Sequence, residues 1–408
     1  MNIFLINHYA GSPEMGMEYR PYYLAQEWIK QGHKVTILAA TFSHLRKNNP
    51  EQDKDIIEEQ KDGIQYIWIK TPPYEGNGVG RIKNMFTFIQ KTLFKASYFA
   101  KNYQPDVVIA SSTYPSDNYI ARKISKLAKA KYIFEVHDLW PLSPMELGNM
   151  SKYHPFIATM QHGEDFAYRK ANAVVSMLPK TKEHMAARGL SLDKWHYIPN
   201  GIVIEDWESS EPLKETHLKQ LSELKAKNKT IIGYTGGHAI SNSLDTIIET
   251  ARLLKDNSKI HFVLIGNGTE KQKLIEQAKE LNNISFLDSI PKNQIPSALE
   301  LMDILLITWN KSPLYRFGIS PNKIFDYMMA KKPIIHASDA PNTFVEEANC
   351  GISVEPENPN LIKEAILKLQ KTSITDLQKM GKNGKEFILK NHDYKVLSKK
   401  FIDIIQSI

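Results

Sequence analysis

A single cysteine, Cys350, stands in a chain of 408 residues. One thiol excludes an intramolecular disulfide and a cysteine-rich metal centre, and points to a reducing, cytoplasmic setting. Long apolar runs are missing as well: none approaches the roughly 18–20 residues that cross a bilayer. The chain opens into Ile3-Phe4-Leu5-Ile6 and then the polar Asn7-His8. A buried strand is expected there rather than a signal peptide, since a basic leader and a small-residue cleavage site are lacking. No helix-turn-helix, zinc-finger or RNA-recognition pattern is present, so nucleic acid is not an expected partner. Apart from a polar loop at residues 48–62, low-complexity tracts and repeats are absent. What remains, 42% hydrophobic and 24% charged, is soluble globular material, long enough for two cores of roughly 200 residues each.

Charge is unevenly shared. Residues 1–200 carry 25 Lys+Arg against 19 Asp+Glu, whereas residues 201–408 carry 27 against 26. The basic excess belongs to the first half and suits an anionic membrane surface or phosphate-bearing substrates.

Short apolar runs alternate with helical segments throughout, which signals parallel α/β layering. Strands are expected at residues 3–7, 35–39, 66–70, 107–111, 132–136, 173–177 and 195–198. A second series follows at 230–234, 261–265, 284–287, 304–308, 333–336 and 351–354. Each half is therefore a doubly wound, Rossmann-like unit with functional loops at the carboxyl ends of its strands. The expected domains are residues 1–200 and 201–393, with the boundary at Pro199-Asn200-Gly201 and an amphipathic helix at 394–408.

The densest motif is Gly318-Ile319-Ser320-Pro321-Asn322-Lys323-Ile324-Phe325-Asp326-Tyr327-Met328. Ser320 suits an N-cap and Pro321 a first helical residue. Free N–H groups of such a first turn, the helix dipole and Lys323 could together hold a phosphate. Asp326, on the same face, could accept hydrogen bonds from two ribose hydroxyls. A solvated Lys–Asp pair has the same spacing. Gly236-Gly237-His238 and Gly266-Asn267-Gly268 each follow an expected strand and would let backbone approach a diphosphate. Neither completes G-x-G-x-x-G, so a hydride-transfer cofactor is not expected. Lys271 is expected at the surface.

In the first half, His137-Asp138 ends a strand within Glu135-Val136-His137-Asp138-Leu139-Trp140-Pro141. An imidazole beside a carboxylate can orient a sugar hydroxyl or exchange a proton near neutral pH. The loop after the first strand holds His8, Tyr9, Gly11, Gly16, Met17, Glu18 and Arg20. Arg20 there could fork onto a phosphate or pair with Glu18 in solvent. Residues 80–103 place Ile82, Met85, Phe86, Ile89, Leu93, Ala96 and Phe99 at helical spacing, with extra aromatics at Phe88, Phe94 and Tyr98 among lysines. Such a helix suits a membrane interface, or packs on the sheet in the ordinary way. Asp53-Lys54-Asp55 has metal-binding spacing but sits in a charge run, and no metal is assigned.

These motifs, in this order, resemble glycosyltransferase family 4, and the resemblance covers nearly the whole chain. Asp-Leu-Trp-Pro at 138–141 and Ser-Pro-Asn-Lys-Ile-Phe-Asp-Tyr-Met at 320–328 are similar to a bacterial branch building capsule, O-antigen and related polysaccharides. The resemblance implies the GT-B fold, in which two facing Rossmann-like domains hold a nucleotide-sugar. It implies retaining transfer without a metal or other cofactor. The second domain would bind a UDP-sugar through Gly236, Gly237, His238, Gly268, Ile290, Gly318, Ser320, Pro321, Asn322, Lys323 and Asp326. The first would bind the acceptor through His8, Gly16, Met17, Glu18 and Arg20. His137, Asp138 and Lys323 would be catalytic, and the 394–408 helix would pack back on the first domain.

Two departures matter. The first acid of the family's paired motif falls on Gly318, and His238 replaces a common basic residue, leaving Lys323 and Arg20 as full charges near the phosphates. The expected enzyme is a cytoplasmic, membrane-peripheral hexosyltransferase. It would move an N-acetylated hexosamine or deoxyhexosamine from UDP to a polyprenyl-diphosphate-linked saccharide, with residues 81–99 on an anionic membrane. A nucleotide-sugar epimerase or hydrolase on the same fold, or a non-catalytic partner, are the alternatives.

Overall fold

The computed structural model describes residues 1–16, 19–51, 54–76 and 78–408. They divide into two units, Met1–Asn200 with Tyr394–Ile408, and Gly201–Asp393.

The first unit is built on β1 (Asn2–Ile6), β2 (Lys34–Ala40), β3 (Ile56–Lys61), β4 (Ile64–Ile69), β5 (Val107–Ala110), β6 (Lys131–Val136), β7 (Ala173–Ser176) and β8 (Trp195–Tyr197). Their order is β3-β4-β2-β1-β5-β6-β7-β8. The central strands are buried almost end to end, as parallel strands covered on both faces must be. Residues 48–62, expected from their polarity to form a loop, instead contain β3. It pairs antiparallel with β4 at the sheet edge, and its Glu58, Glu59 and Lys61 disguise it. Charge of that kind protects an edge from pairing with another chain.

Helix α1 (Tyr19–Lys30) is followed by α2 (Val79–Phe94) and α3 (Ala96–Tyr103). The single helix expected over 80–103 thus breaks at Lys95. Its phase differs too: Phe88 is fully buried with Met85 and Phe99, whereas Ile82 and Phe86 turn to solvent. The final helix of this unit, Tyr394–Ser407, packs on α1. Trp28 sets its ring edge-to-face on Phe401 at 5.3 Å and donates its indole N–H to the Ser398 carbonyl at 3.2 Å.

The second unit holds β9 (Thr230–Thr235), β10 (Ile260–Ile265), β11 (Ile284–Leu287), β12 (Ile304–Thr308), β13 (Ile334–Ala337) and β14 (Gly351–Val354). The order β11-β10-β9-β12-β13-β14 is all parallel and reverses between β9 and β12. Alternation along the strands divides the core: Ile231, Val263 and Leu305 face one layer, Ile232, Phe262 and Leu306 the other. A crevice for ligand is expected outside the carboxyl ends of β9 and β12, where the order reverses.

Candidate active site

Two glycine loops meet at that place. Gly236 follows β9 with φ 147, and Gly266 follows β10 with φ 158. A Cβ on Gly266 would drive into the Gly236 carbonyl oxygen, and one on Gly268 into the backbone of His238. Only glycine permits the approach. The loops are stitched by Gly236 N–H to the Ile265 carbonyl at 3.0 Å and His238 N–H to the Asn267 carbonyl at 2.9 Å.

Over Gly236 lies the ammonium of Lys323, from the first turn of a helix spanning Asn322–Met329. It donates to the Tyr234 hydroxyl at 2.9 Å and the Asn242 side-chain oxygen at 2.7 Å. The rings of Tyr234 and Trp309 lie 4.7 and 5.2 Å from it. Both of these hydrogen-bond partners are neutral. Burial lowers its pKa to about 7. A cation fixed by neutral groups beside two glycine turns is a site prepared for an anion. One turn on, Tyr327 accepts the Thr235 N–H at 2.6 Å, locking the same helix face onto β9. Asp326 is half-buried. Burial raises its carboxyl to about 6, against the opposing pull of Lys292.

The helix begins one residue later than expected. Pro321, with φ −80 and ψ 132, is the N-cap, and Ser320 lies outside. The approach to the helix is held by a residue the sequence reading missed. Buried Asn342 accepts the Ile319 N–H at 2.8 Å and donates to the Ile319 carbonyl at 2.7 Å. Gly318, just before, has φ 95 and ψ 176, a conformation essentially reserved for glycine.

In the first unit, Glu135 near the end of β6 is fully buried. Burial alone would raise its pKa, but the guanidinium of Arg20, with His137 and Ser111, holds it at about 2. Arg20 gives Glu135 two hydrogen bonds, at 3.1 and 3.0 Å, and donates to the carbonyls of Ile198 and Pro199. Ser111 donates to Glu135 at 2.6 Å, and His137 Nε2 lies 3.1 Å from the same carboxylate oxygen. An ionised carboxylate only accepts, so Nε2 carries the hydrogen and the imidazole orientation is fixed. Asp138, next in sequence, is exposed.

Comparison with known proteins gives this arrangement a context. Residues 15–201 match the glycosyl transferase 4-like domain and residues 218–387 the glycosyl transferases group 1 domain. The chain is 21% identical over 289 residues to the putative colanic acid biosynthesis glycosyl transferase WcaI of Escherichia coli K12, covering 69% of this chain and 70% of that one. The chain belongs to the GT-B glycosyltransferases. Solved GT-B structures share its fold over the whole length of both chains. Anabaena HepE in complex with UDP and glucose superposes with TM-score 0.67 at 15% identity. WaaG, a glycosyltransferase involved in lipopolysaccharide biosynthesis, does so with TM-score 0.65 at 15%.

Within this glycosyltransferase, several expected contacts need correction. Arg20 was expected on a phosphate but is consumed by Glu135 and two backbone carbonyls. His8 was expected on the acceptor, yet its ring is fully buried, with Nδ1 2.7 Å from the Tyr114 hydroxyl. Burial, aided by Arg46, lowers its pKa to about 3. Gly16 is a buried turn residue at φ 71 beside Lys47. Met17 and Glu18, like Asp53, lie outside the described residues. In the second unit His238 is also fully buried, between Tyr234 and Phe286. Desolvation, then Lys271 and Lys323, lower its pKa to about 4, so it supplies no charge. Lys271 is pinned rather than free, donating to Asn267 at 2.9 Å, the Leu287 carbonyl at 3.2 Å and Asp288 at 2.7 Å. Ile290 packs against the core edge. Gly237 turns its carbonyl to Tyr234 and Asn242, and Asn322 is exposed at the helix start.

Proposed function

We propose that this glycosyltransferase moves an N-acetylated hexosamine or deoxyhexosamine from a UDP-sugar to a lipid-linked saccharide, with retention of configuration, in surface polysaccharide biosynthesis. The observation that carries the donor half is Lys323, a cation held by Tyr234 and Asn242 above Gly236. As the bond from the sugar's C1 to the diphosphate breaks, charge grows on the departing oxygen. Lys323 and the free N–H groups at the start of the Asn322–Met329 helix compensate it. Asp326 takes the ribose hydroxyls, with Ile290-Pro291-Lys292 supporting the base. His137, oriented by Glu135, and Asp138 are assigned to the sugar, and no metal is given a role. HepE's complex with UDP and the lipopolysaccharide role of WaaG support UDP and a surface polysaccharide.

The absence of a side chain at Gly318 supports a sugar whose recognition does not use a carboxylate there. An exposed apolar face on α2 supports a cytoplasmic enzyme peripheral to the membrane. Purified protein with extracted lipid-linked acceptor and a panel of UDP-sugars tests this reading. UDP release that needs both acceptor and one donor, and a product of unchanged anomeric configuration by NMR, are expected. Release without acceptor would instead favour an epimerase or hydrolase, and no release with any donor would leave a non-catalytic partner.

A further inference from the structure

With His8 and Arg20 taken up by the core, a different group stands at the carboxyl ends of the first unit's strands. Arg81, in the first turn of α2, places its guanidinium 5.7 Å from the centre of the Tyr9 ring and 5.8 Å from that of Trp140. It also donates to the Tyr9 hydroxyl at 3.2 Å. Tyr9 follows β1 and Trp140 follows β6. His44, beyond β2, stands edge-on to Tyr9 at 5.9 Å, and its Nδ1 lies 2.6 Å from the hydroxyl of Tyr74, beyond β4. Four strands therefore deliver one cluster.

Tyr9 is rigid, buried in a small core with Met85, Tyr114 and Met160. Arg81 and Trp140 are half-buried and His44 is exposed, so the cluster opens on one side. The Tyr9 hydroxyl and the neighbouring Tyr9 and Trp140 rings hold the guanidinium in place, and its planar fork matches a phosphate better than a flexible ammonium does. The same helix carries Val79, Ile82, Phe86 and Phe94 on its outer face, all exposed. A diphosphate head joined to an apolar chain matches both features.

Resting on the lipid-linked acceptor read above, we propose that Arg81, with His44 beside it, holds the diphosphate of a prenyl-diphosphate-linked acceptor whose chain follows the outer face of α2. Farnesyl diphosphate is the probe, added to the full-length protein with UDP saturating so that the Lys323 site is filled. Wild type is expected to bind it, Arg81→Met to weaken binding at least about tenfold, and Arg81→Lys to recover part of the loss. UDP affinity in both variants should stay within about twofold of wild type, and an unchanged circular-dichroism spectrum and thermal unfolding profile show that the first unit folds.

Farnesol should bind wild type far more weakly and ignore Arg81→Met. Inorganic pyrophosphate binding as tightly as farnesyl diphosphate, with the same Arg81 dependence, would keep the anion site and overturn the path assigned to the chain. Equal binding of farnesyl diphosphate by wild type and Arg81→Met, or none by wild type, overturns the assignment while UDP binding leaves the donor site standing. Failure of wild type to bind UDP would sink the donor reading separately.

Discussion

Arg20 and Glu135 form a buried ion pair whose value depends on both members staying in place. Removing one leaves an unpaired charge that burial penalises, at about 3–5 kcal/mol. Glu135→Ala is therefore expected to lower unfolding free energy by that order, read from urea denaturation. Its pH signature has a definite sign. The carboxyl sits at about 2 in the folded protein against an ordinary 4.5. Its contribution is complete above the ordinary value and drains away as pH falls from there towards 2. Wild type should lose stability across that window more steeply than Glu135→Ala.

Lys323 and Asp326 make a second prediction at this scale. UDP binding needs the ammonium protonated and the carboxylate ionised, and their free-state pKa values are about 7 and about 6. Affinity should fall as pH rises above 7 and as it drops below 6, giving a bell with its crest between them. Asp326→Asn should flatten the acidic limb beyond what titration of UDP itself explains, and Lys323→Met the basic limb. Calorimetry at pH 8, in buffers of different ionisation enthalpy, should show proton uptake on binding by wild type and not by Lys323→Met.

Secondary-structure elements explain why some of this was legible in the sequence and some was not. The parallel strands lie within one or two residues of their expected places, because a strand covered on both faces must be an apolar run bounded by turns. β3 escaped because an edge strand carries charges that also describe a loop. The phase of α2 escaped because apolar side chains cover more than one face, and only packing reveals that Phe88 goes in and Phe86 out. The donor helix announced itself through Ser320-Pro321-Asn322-Lys323, and strand order brings Lys323 over Gly236. His8 and Arg20 misled because Tyr114 and Glu135, which consume them, lie more than a hundred residues away in sequence.

Gly318 belongs to this scale as well. Its φ of 95 and ψ of 176 explain why a family acid is not simply missing: a side chain there carries strain of about 1–3 kcal/mol. Gly318→Glu, which writes the acid back, should therefore weaken UDP binding and turnover rather than improve them. Asn342→Leu should act in the same direction. It strips the Ile319 backbone of both partners, each worth about 1–3 kcal/mol when left unsatisfied. Isothermal titration with UDP checks both, and tighter binding by Gly318→Glu would show that the loop is not constrained as described.

For the whole molecule, the question is where it works. Among the described residues no helix is long and apolar enough to cross a membrane, and α2 offers a surface on which attachment can be tested. Val79, Ile82, Phe86 and Phe94 are 82%, 44%, 64% and 79% exposed along one side of α2, with Lys83 among them. Leaving four large apolar side chains in water is unfavourable. Burying one such side chain fully returns about 1.5–3 kcal/mol, and each basic residue near anionic lipid adds about 1 kcal/mol. Two phenylalanines thus outweigh one lysine, and partitioning should depend more on aromatics than on salt. Phe86→Asp with Phe94→Asp should reduce binding to phosphatidylglycerol-containing vesicles by at least about tenfold, while Lys83→Gln costs only a few-fold and high salt does little more. UDP affinity should be unchanged in every case, because Lys323 and the glycine loops belong to the other unit. Vesicle co-sedimentation alongside UDP titration reads both quantities, and a double aspartate variant that still partitions like wild type would remove α2 from the membrane.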